Sequence, residues 1–240
     1  MPIKAVVFDI DGTLVQSTPH CLRTTNQLLV ENGKPALSAE EYKAATKWDT
    51  PTRFTVHLHG EAALSAPNFE ELYKDGLRLG GQFDERYVAT LSADNCPLFT
   101  DIKPSLLTLP SSSPDGVKIA ALTNACVAYA EKVLLAHGIS SSFGAIEGAD
   151  SVPASKPSPL GLLQICERLG VEPAETLMVG DAVGDGKAGV SAGCRSLGVS
   201  WGSYTAETLE ESRQFSEGVV GTREEMWAKI ESLLVTMASS

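Results

Sequence analysis

Near the start of the chain, residues 3–13 read IKAVVFDIDGT, an apolar run that leads directly into two aspartates. Residues 3–8 are apolar or β-branched at nearly every position, which is typical of a strand buried on both faces of a parallel sheet. Asp9 and Asp11 follow at a spacing of two, so their side chains point to the same side before Gly12 permits a sharp turn. The stretch therefore predicts a buried strand that ends in two carboxylates.

Three further apolar runs have the character of buried strands, at residues 117–122, 176–179 and 195–199. The first of them follows a Ser/Pro/Gly turn at 111–116. Segments with helical spacing lie between the runs, and each is closed by a glycine: residues 126–137 and 159–169. Strand and helix thus alternate from about residue 100 onward, which is typical of a parallel sheet with helices on both faces. The sequence predicts the α/β class.

Residues 15–92 break this alternation because they read almost entirely as helix. Helices are predicted at 18–31, at 38–46 with a capping box of Ser38 and Glu41, at 68–80 and at 84–92. The pattern predicts an inserted all-helical domain at 15–92, within a core formed by residues 1–14 and 93–240. A last packing helix is expected at 224–237.

Composition and charge restrict the possible partners. The 240 residues include 19 basic and 30 acidic side chains, a net charge of −11, and 43% are hydrophobic, enough for a sizeable core in one or two domains. The dispersed acidic charge argues against nucleic-acid and anionic-membrane partners. Five widely spaced cysteines without a CxxC pair are typical of reduced thiols, and no apolar run reaches membrane-spanning length. We expect a soluble, cytoplasmic protein; the oligomeric state is left open.

Polar residues follow the predicted strands at the point where each strand ends. Thr123 and Asn124 come after 117–122, and Asp181 comes after 176–179, with Asp185 four residues on. Ligands of open parallel sheets bind at the carboxyl ends of the strands, so we expect these groups to converge with Asp9.

Converging carboxylates need a cation beside them. Two carboxylates about 4 Å apart repel each other by about 4 kcal/mol at an effective dielectric constant of about 20. Hard oxygen ligands with no His or Cys nearby favour Mg²⁺, which also binds substrate phosphate oxygens. Lys156, in a loop stiffened by Pro157 and Pro159, can offset the charge of a phosphate.

The ordered set of motifs resembles the haloacid dehalogenase-like hydrolase superfamily, in its phosphatase branch. The motifs are DIDGT from Asp9, the pair Thr123 and Asn124, Lys156 before a proline, and Gly180-Asp181 with Asp185. The resemblance covers the whole chain, because the helical insert matches the family's cap domain. It implies a Rossmann-like core, a helical cap that closes over the crevice, and a small phosphorylated metabolite as substrate.

The resemblance also implies catalytic roles. Asp9 would attack phosphorus and form an aspartyl-phosphate, while Asp11 would protonate the leaving alcohol and then activate water. Thr123 and Asn124 would donate hydrogen bonds to the phosphate, and Lys156 would stabilise its charge.

Metal binding is implied for the four aspartates of the motifs. The carboxylates of Asp9 and Asp181 and the backbone carbonyl of Asp11 would hold Mg²⁺. Asp185 would orient Lys156 or a metal-bound water.

Two alternatives to the phosphatase function stay open. The carboxylate of Asp11 argues against the dehalogenase branch, which has no leaving alcohol to protonate. A phosphomutase of the same superfamily would carry the same motifs, and a catalytically silent binding module is the alternative from another class.

Residues of the predicted cap are harder to interpret. Lys47, Trp48 and Arg53 lie where members of the family place residues that contact the leaving group of the substrate. Packing within the cap or a surface position is the simpler interpretation of these three residues. His57 and His59 stand two apart without a third ligand nearby, which argues against a metal site there.

Overall fold

The computed structural model describes residues 1–111 and 116–234. The chain divides into two compact units, one formed by Met1–Gln16 with Pro97–Ser240 and the other by Ser17–Cys96. We call them the sheet unit and the helical unit. Most of the turn expected at 111–116, and the part of the last expected helix beyond residue 234, lie outside the described residues.

The sheet unit is built on one parallel sheet, whose strand order is β3-β2-β1-β4-β5-β6. The strands are β1 (Ala5–Phe8), β2 (Lys118–Leu122), β3 (Ala145–Glu147), β4 (Thr176–Gly180), β5 (Arg195–Val199) and β6 (Val219–Val220). Every residue of β1 is buried, as expected for a strand covered on both faces. The α/β class and the Rossmann-like parallel sheet predicted from the sequence are confirmed. The short strands β3 and β6 were not predicted, because three and two residues carry no readable periodicity.

Strand register sets the position of the site. Phe8 of β1 pairs with Ala121 of β2 on one side and with Val179 of β4 on the other. The three central strands therefore end at nearly the same level, and the residues that follow them emerge together at the carboxyl edge of the sheet.

Six described helices accompany the strands of the sheet unit: α5 (Ile102–Thr108), α6 (Val127–Ala136), α7 (Leu160–Leu169), α8 (Val183–Ala192), α9 (Ala206–Ser212) and α10 (Arg223–Leu234). Helix α7 ends at Gly170, whose φ of 63° is the left-handed conformation that glycine adopts at low cost. Apolar side chains of β1, β2, β4, α7 and α8 form one buried cluster that includes Val7, Leu122, Ile165, Met178 and Ala188.

The helical unit contains α1 (Thr18–Glu31), α2 (Ala39–Ala45), α3 (Thr50–His59) and α4 (Phe69–Thr90). Helix α2 begins at the capping box of Ser38 and Glu41 that the sequence indicates. None of the described helices combines the length and the apolar character needed to span a bilayer.

Helix α4 is continuous, and the prediction of two helices at 68–80 and 84–92 was wrong. A Cβ at Gly76 would lie 2.1 Å from the Thr55 hydroxyl oxygen and 2.3 Å from the Pro51 carbonyl oxygen, and one at Gly80 would lie 3.4 Å from Pro51. These glycines let α3 and α4 pack closely and do not end the helix. Helix α3 itself was not predicted.

Candidate active site

The predicted site residues of the sheet unit come from the ends of three neighbouring strands and from two helix starts. Asp9, Thr123 and Asp181 directly follow β1, β2 and β4. Lys156 lies in the loop before α7, and Asp185 lies in the first turn of α8. The structure brings these residues together although up to 176 positions separate them in the sequence.

Lys156 is buried, and its ammonium group has three oxygen partners. Its Nζ lies 2.6 Å from Asp9 Oδ1 and 2.6 Å from Asp185 Oδ1, and it donates a hydrogen bond of 2.8 Å to the Leu122 carbonyl. Burial alone would lower the pKa of Lys156, but the carboxylates of Asp185 and Asp9 outweigh it and raise the pKa above its ordinary value. The ammonium stays charged and holds a fixed position.

Three buried aspartates, Asp9, Asp181 and Asp185, form a group that could hold a metal ion, since one carboxylate oxygen of each lies within 4.8 Å of the others. Burial raises the pKa of Asp9 well above its ordinary value; Lys156 opposes this shift, and repulsion from Asp185 and Asp181 adds to it. Burial, followed by Asp185, raises the pKa of Asp181 to about 7. One ammonium does not balance three carboxylates, so this oxygen donor set fits a divalent cation.

The side chain of Asp11 is engaged elsewhere. Its Oδ1 accepts a hydrogen bond of 2.6 Å from the Tyr129 hydroxyl, and its Oδ2 accepts one of 3.2 Å from the Thr123 hydroxyl. Asp11 does not belong to the three-aspartate group found among the described residues. Its predicted contribution to the metal through the backbone carbonyl stays a prediction.

Asn124 holds the backbone of Lys156 at two points. Its Nδ2 donates to the Lys156 carbonyl at 2.9 Å, and its Oδ1 accepts from the Lys156 N–H at 2.9 Å. The same side chain was assigned to the phosphate on sequence grounds. That role stays a prediction for Asn124 and for Thr123, and the observed contacts add a second task for Asn124, the placement of Lys156.

Sequence reasoning missed the loop that follows β5. The N–H of Ser203 donates a hydrogen bond to Asp181 Oδ2. A Cβ at Gly202 would lie 2.1 Å from the same oxygen, and one at Gly12 would lie 2.2 Å from it, so both glycines permit a close approach to Asp181. The loop could have been found from its place at the carboxyl end of a predicted strand.

The candidate residues of the helical unit are placed by contacts within that unit. Lys47 Nζ lies 4.3 Å above the Trp48 ring, and Arg53 donates a hydrogen bond of 3.2 Å to the Tyr42 hydroxyl. Burial, followed by Arg53, lowers the pKa of His57 to about 4. The described residues show no metal-ligand group that includes a histidine.

Comparison with known proteins agrees with this geometry. Residues 3–193 match the family model of the haloacid dehalogenase-like hydrolases. A phosphoglycolate phosphatase of Pectobacterium atrosepticum is 32% identical over 88% of this chain and 86% of its own length. One from Chromobacterium violaceum is also 32% identical, over 86% of this chain and 89% of its own.

Solved structures show the same fold. A predicted phosphoglycolate phosphatase of Haemophilus somnus is 25% identical, covers 90% of this chain and 93% of its own, and has a TM-score of 0.71. A predicted phosphatase of Clostridium acetobutylicum is 18% identical and has a TM-score of 0.78 over 97% of this chain and 100% of its own. These matches confirm the family resemblance identified from the motifs. They also confirm the predicted enzyme class, because the family is one of hydrolases and the relatives are named as phosphatases. The chain belongs to the haloacid dehalogenase-like hydrolase family.

Proposed function

We propose that the protein is a Mg²⁺-dependent phosphatase that hydrolyses a small phosphorylated metabolite through an aspartyl-phosphate on Asp9. One observation carries the proposal: the Asp9 carboxylate lies 2.6 Å from the buried Lys156 ammonium and within a group of three aspartates at the carboxyl edge of the sheet. The relatives named phosphoglycolate phosphatase make a short phosphorylated acid the first substrate to try.

The metal would be held by the carboxylates of Asp9, Asp181 and Asp185 and by the backbone carbonyl of Asp11. When bound, Mg²⁺ offsets the repulsion among the carboxylates, keeps Asp9 ionised and polarises the phosphate oxygens. Asp185 also pairs with Lys156 and accepts a hydrogen bond of 2.9 Å from the Ala182 N–H, so its side chain is held from two sides.

Asp9 is oriented for nucleophilic attack by a contact on each of its oxygens. Lys156 holds Oδ1, and the Thr13 hydroxyl donates to Oδ2 at 3.2 Å. In the first step a carboxylate oxygen of Asp9 forms a bond to phosphorus while the bond from phosphorus to the substrate alcohol breaks. Lys156 stabilises the negative charge on the phosphoryl oxygens, with Thr123 and Asn124 as further donors.

Asp11 is the general acid of the first step and the general base of the second. It first gives a proton to the leaving alcohol, and as a carboxylate it then takes one from the water that attacks phosphorus. That attack releases inorganic phosphate and restores the Asp9 carboxylate. Asp11 suits this task because its side chain lies outside the three-aspartate group.

The helical unit supplies substrate selection in this proposal. We assign residues 15–92 the role of a cap that admits compact substrates and excludes macromolecules, with the core at 1–14 and 93–240. The assignment rests on the family resemblance. The proposed cytoplasmic location rests on the five widely spaced cysteines, which are typical of reduced thiols.

The test is a panel of phosphorylated metabolites, with phosphoglycolate first, assayed for released phosphate with Mg²⁺ and with EDTA. Asp9→Asn keeps the shape of the side chain and should lower turnover at least about a thousandfold. Asp101→Asn, at an exposed aspartate of the sheet unit, is the matched control and should leave turnover unchanged.

Four outcomes would contradict the proposal. Full activity of Asp9→Asn would show that Asp9 is not the nucleophile. Equal rates with Mg²⁺ and with EDTA would show that the reaction does not need the metal. An isomerised sugar phosphate in place of inorganic phosphate would identify the phosphomutase alternative, and an absence of turnover on the whole panel would favour the binding module.

A further inference from the structure

Tyr129 is a buried tyrosine whose hydroxyl reaches the carboxylate of Asp11. It lies on α6, its side chain is 0% exposed, and its hydroxyl oxygen is 2.6 Å from Asp11 Oδ1. The other oxygen of Asp11 accepts from Thr123, which directly follows β2. Both donors therefore belong to the crossover formed by β2 and α6.

The O···O distance of 2.6 Å lies at the short end of the range usual for O–H···O hydrogen bonds, about 2.5–3.0 Å. A phenylalanine would fill the same space in the core, so the hydroxyl is not needed for packing. Buried tyrosine hydroxyls find a partner, and here the partner is 118 residues away in the sequence.

The two aspartates of the first motif have different kinds of partner. Asp9 pairs with the ammonium of Lys156, whereas Asp11 accepts hydrogen bonds from two neutral hydroxyl groups. One hydroxyl on each oxygen fixes the direction of the Asp11 carboxylate without an ion pair.

We propose that Tyr129 is a positioning residue for Asp11. Its hydroxyl holds the carboxylate on the side of β2 and α6, apart from the three-aspartate group, in the orientation for proton exchange with the leaving-group oxygen. The inference rests on the proposed function, since it needs Asp11 to be the proton donor.

A leaving-group comparison isolates this role. An alkoxide is a poor leaving group and needs a proton as its bond to phosphorus breaks, whereas p-nitrophenolate leaves with little help. Misplacing Asp11 should therefore slow the hydrolysis of an alkyl phosphate much more than that of p-nitrophenyl phosphate. A variant that had merely loosened the fold would slow both to a similar degree.

The experiment compares the wild type with Tyr129→Phe on p-nitrophenyl phosphate and on phosphoglycolate, or on another alkyl phosphate of the panel if the wild type hydrolyses that one instead. We expect kcat on phosphoglycolate to fall about tenfold, the effect of one hydrogen bond to a charged group, with KM unchanged. On p-nitrophenyl phosphate we expect a change of less than about twofold. Tyr87→Phe, at a buried tyrosine whose hydroxyl lies 4.0 Å from the Cys96 sulfur, is the control and should leave the ratio of the two rates unchanged.

A second measurement places Tyr129→Phe in an Asp11→Asn background. If the hydroxyl acts through Asp11, its removal should change the residual rate by less than about twofold there. Equal losses on both substrates, no loss on either, or a full tenfold loss in the Asp11→Asn background would each overturn the inference. A wild type that hydrolyses no compound of the panel would overturn the proposed function with it, whereas an active wild type with an unchanged rate ratio in Tyr129→Phe would overturn this inference alone.

Discussion

Each unit of the molecule buries a cation, and the two cations have very different surroundings. Lys156 in the sheet unit has two carboxylates at 2.6 Å and a backbone carbonyl. Arg53 in the helical unit, 7% exposed, forms no ion pair among the described residues. Its guanidinium lies 5.2 Å from the ring centres of Tyr42 and Phe83, and its Nε has no hydrogen-bond partner in the described structure.

The two sites therefore stabilise a cation by different interactions. The surroundings of Lys156 contain more negative charge than one ammonium can balance, which suits a site that takes up a further cation. The surroundings of Arg53 offer aromatic faces, whose attraction for a cation is worth about 0.5–2 kcal/mol. We therefore expect replacement of the two cations by the same apolar side chain to have very different consequences.

Lys156→Met should have the largest effect. Turnover should fall at least about a thousandfold, and in EDTA the free energy of unfolding should drop by about 3–5 kcal/mol, because the buried carboxylates of Asp9 and Asp185 lose the ammonium that pairs with both. Denaturant unfolding and phosphate release measure the two effects. Lys187→Met, at an exposed lysine of α8, is the control, and a Lys156→Met protein as stable and active as this control would contradict the account.

Magnesium should stabilise the sheet unit by a smaller amount. At about one hundred times its dissociation constant the ion should add about 3 kcal/mol to the free energy of unfolding, seen as a rise in Tm. Asp181→Asn should lose most of this rise because it removes one carboxylate of the three-aspartate group, whereas Asp101→Asn should keep it. Equal rises in the two variants would show that the ion binds elsewhere.

Acid should weaken the helical unit through His57. Its pKa in the folded protein is about 4, against about 6.5 when unfolded, so only the unfolded state takes up the proton as the pH falls below 6.5. The free energy of unfolding should therefore fall by about 2 kcal/mol as the pH drops from 6.5 to 4. This is less than the full pKa shift would give, because the ring is partly exposed and solvent weakens the effect. His57→Gln should flatten this part of the pH profile in hydrogen exchange of the helical unit. His59→Gln, at an exposed histidine, should not flatten it, and equal profiles in both variants would refute the assignment to His57.

Arg53→Met should have the smallest effect. Methionine fills similar space among Tyr42 and Phe83, and it removes a buried charge that pairs with no carboxylate of the described residues, so the free energy of unfolding should change by no more than about 1 kcal/mol. Denaturant unfolding measures it beside Lys156→Met. A loss of several kcal/mol would show that Arg53 is as strongly paired as Lys156 and would remove the contrast between the units.

Within the sheet unit, the sequence identifies the charged groups of the site but not the contacts that hold them in place. Asp9 and Asp181 were identifiable because a parallel sheet carries its strand ends to one edge, so local patterns were enough to predict their meeting. Lys156, in the loop before α7, was assigned through the resemblance of the motifs to the family. Tyr129 was not identifiable, since a tyrosine at helical spacing among apolar residues predicts only core packing. The two-point contact of Asn124 with Lys156 depends, in the same way, on how distant loops pack.

The most direct test of the central claim is chemical trapping of the phosphorylated nucleophile. The enzyme is mixed with Mg²⁺ and a turned-over phosphate ester, quenched in acid, reduced with borohydride and digested for peptide mass spectrometry. The account predicts homoserine at position 9, the product of reducing an acyl phosphate on Asp9, and none in Asp9→Asn. Homoserine at another aspartate, or none at any position while phosphate is released, would contradict it.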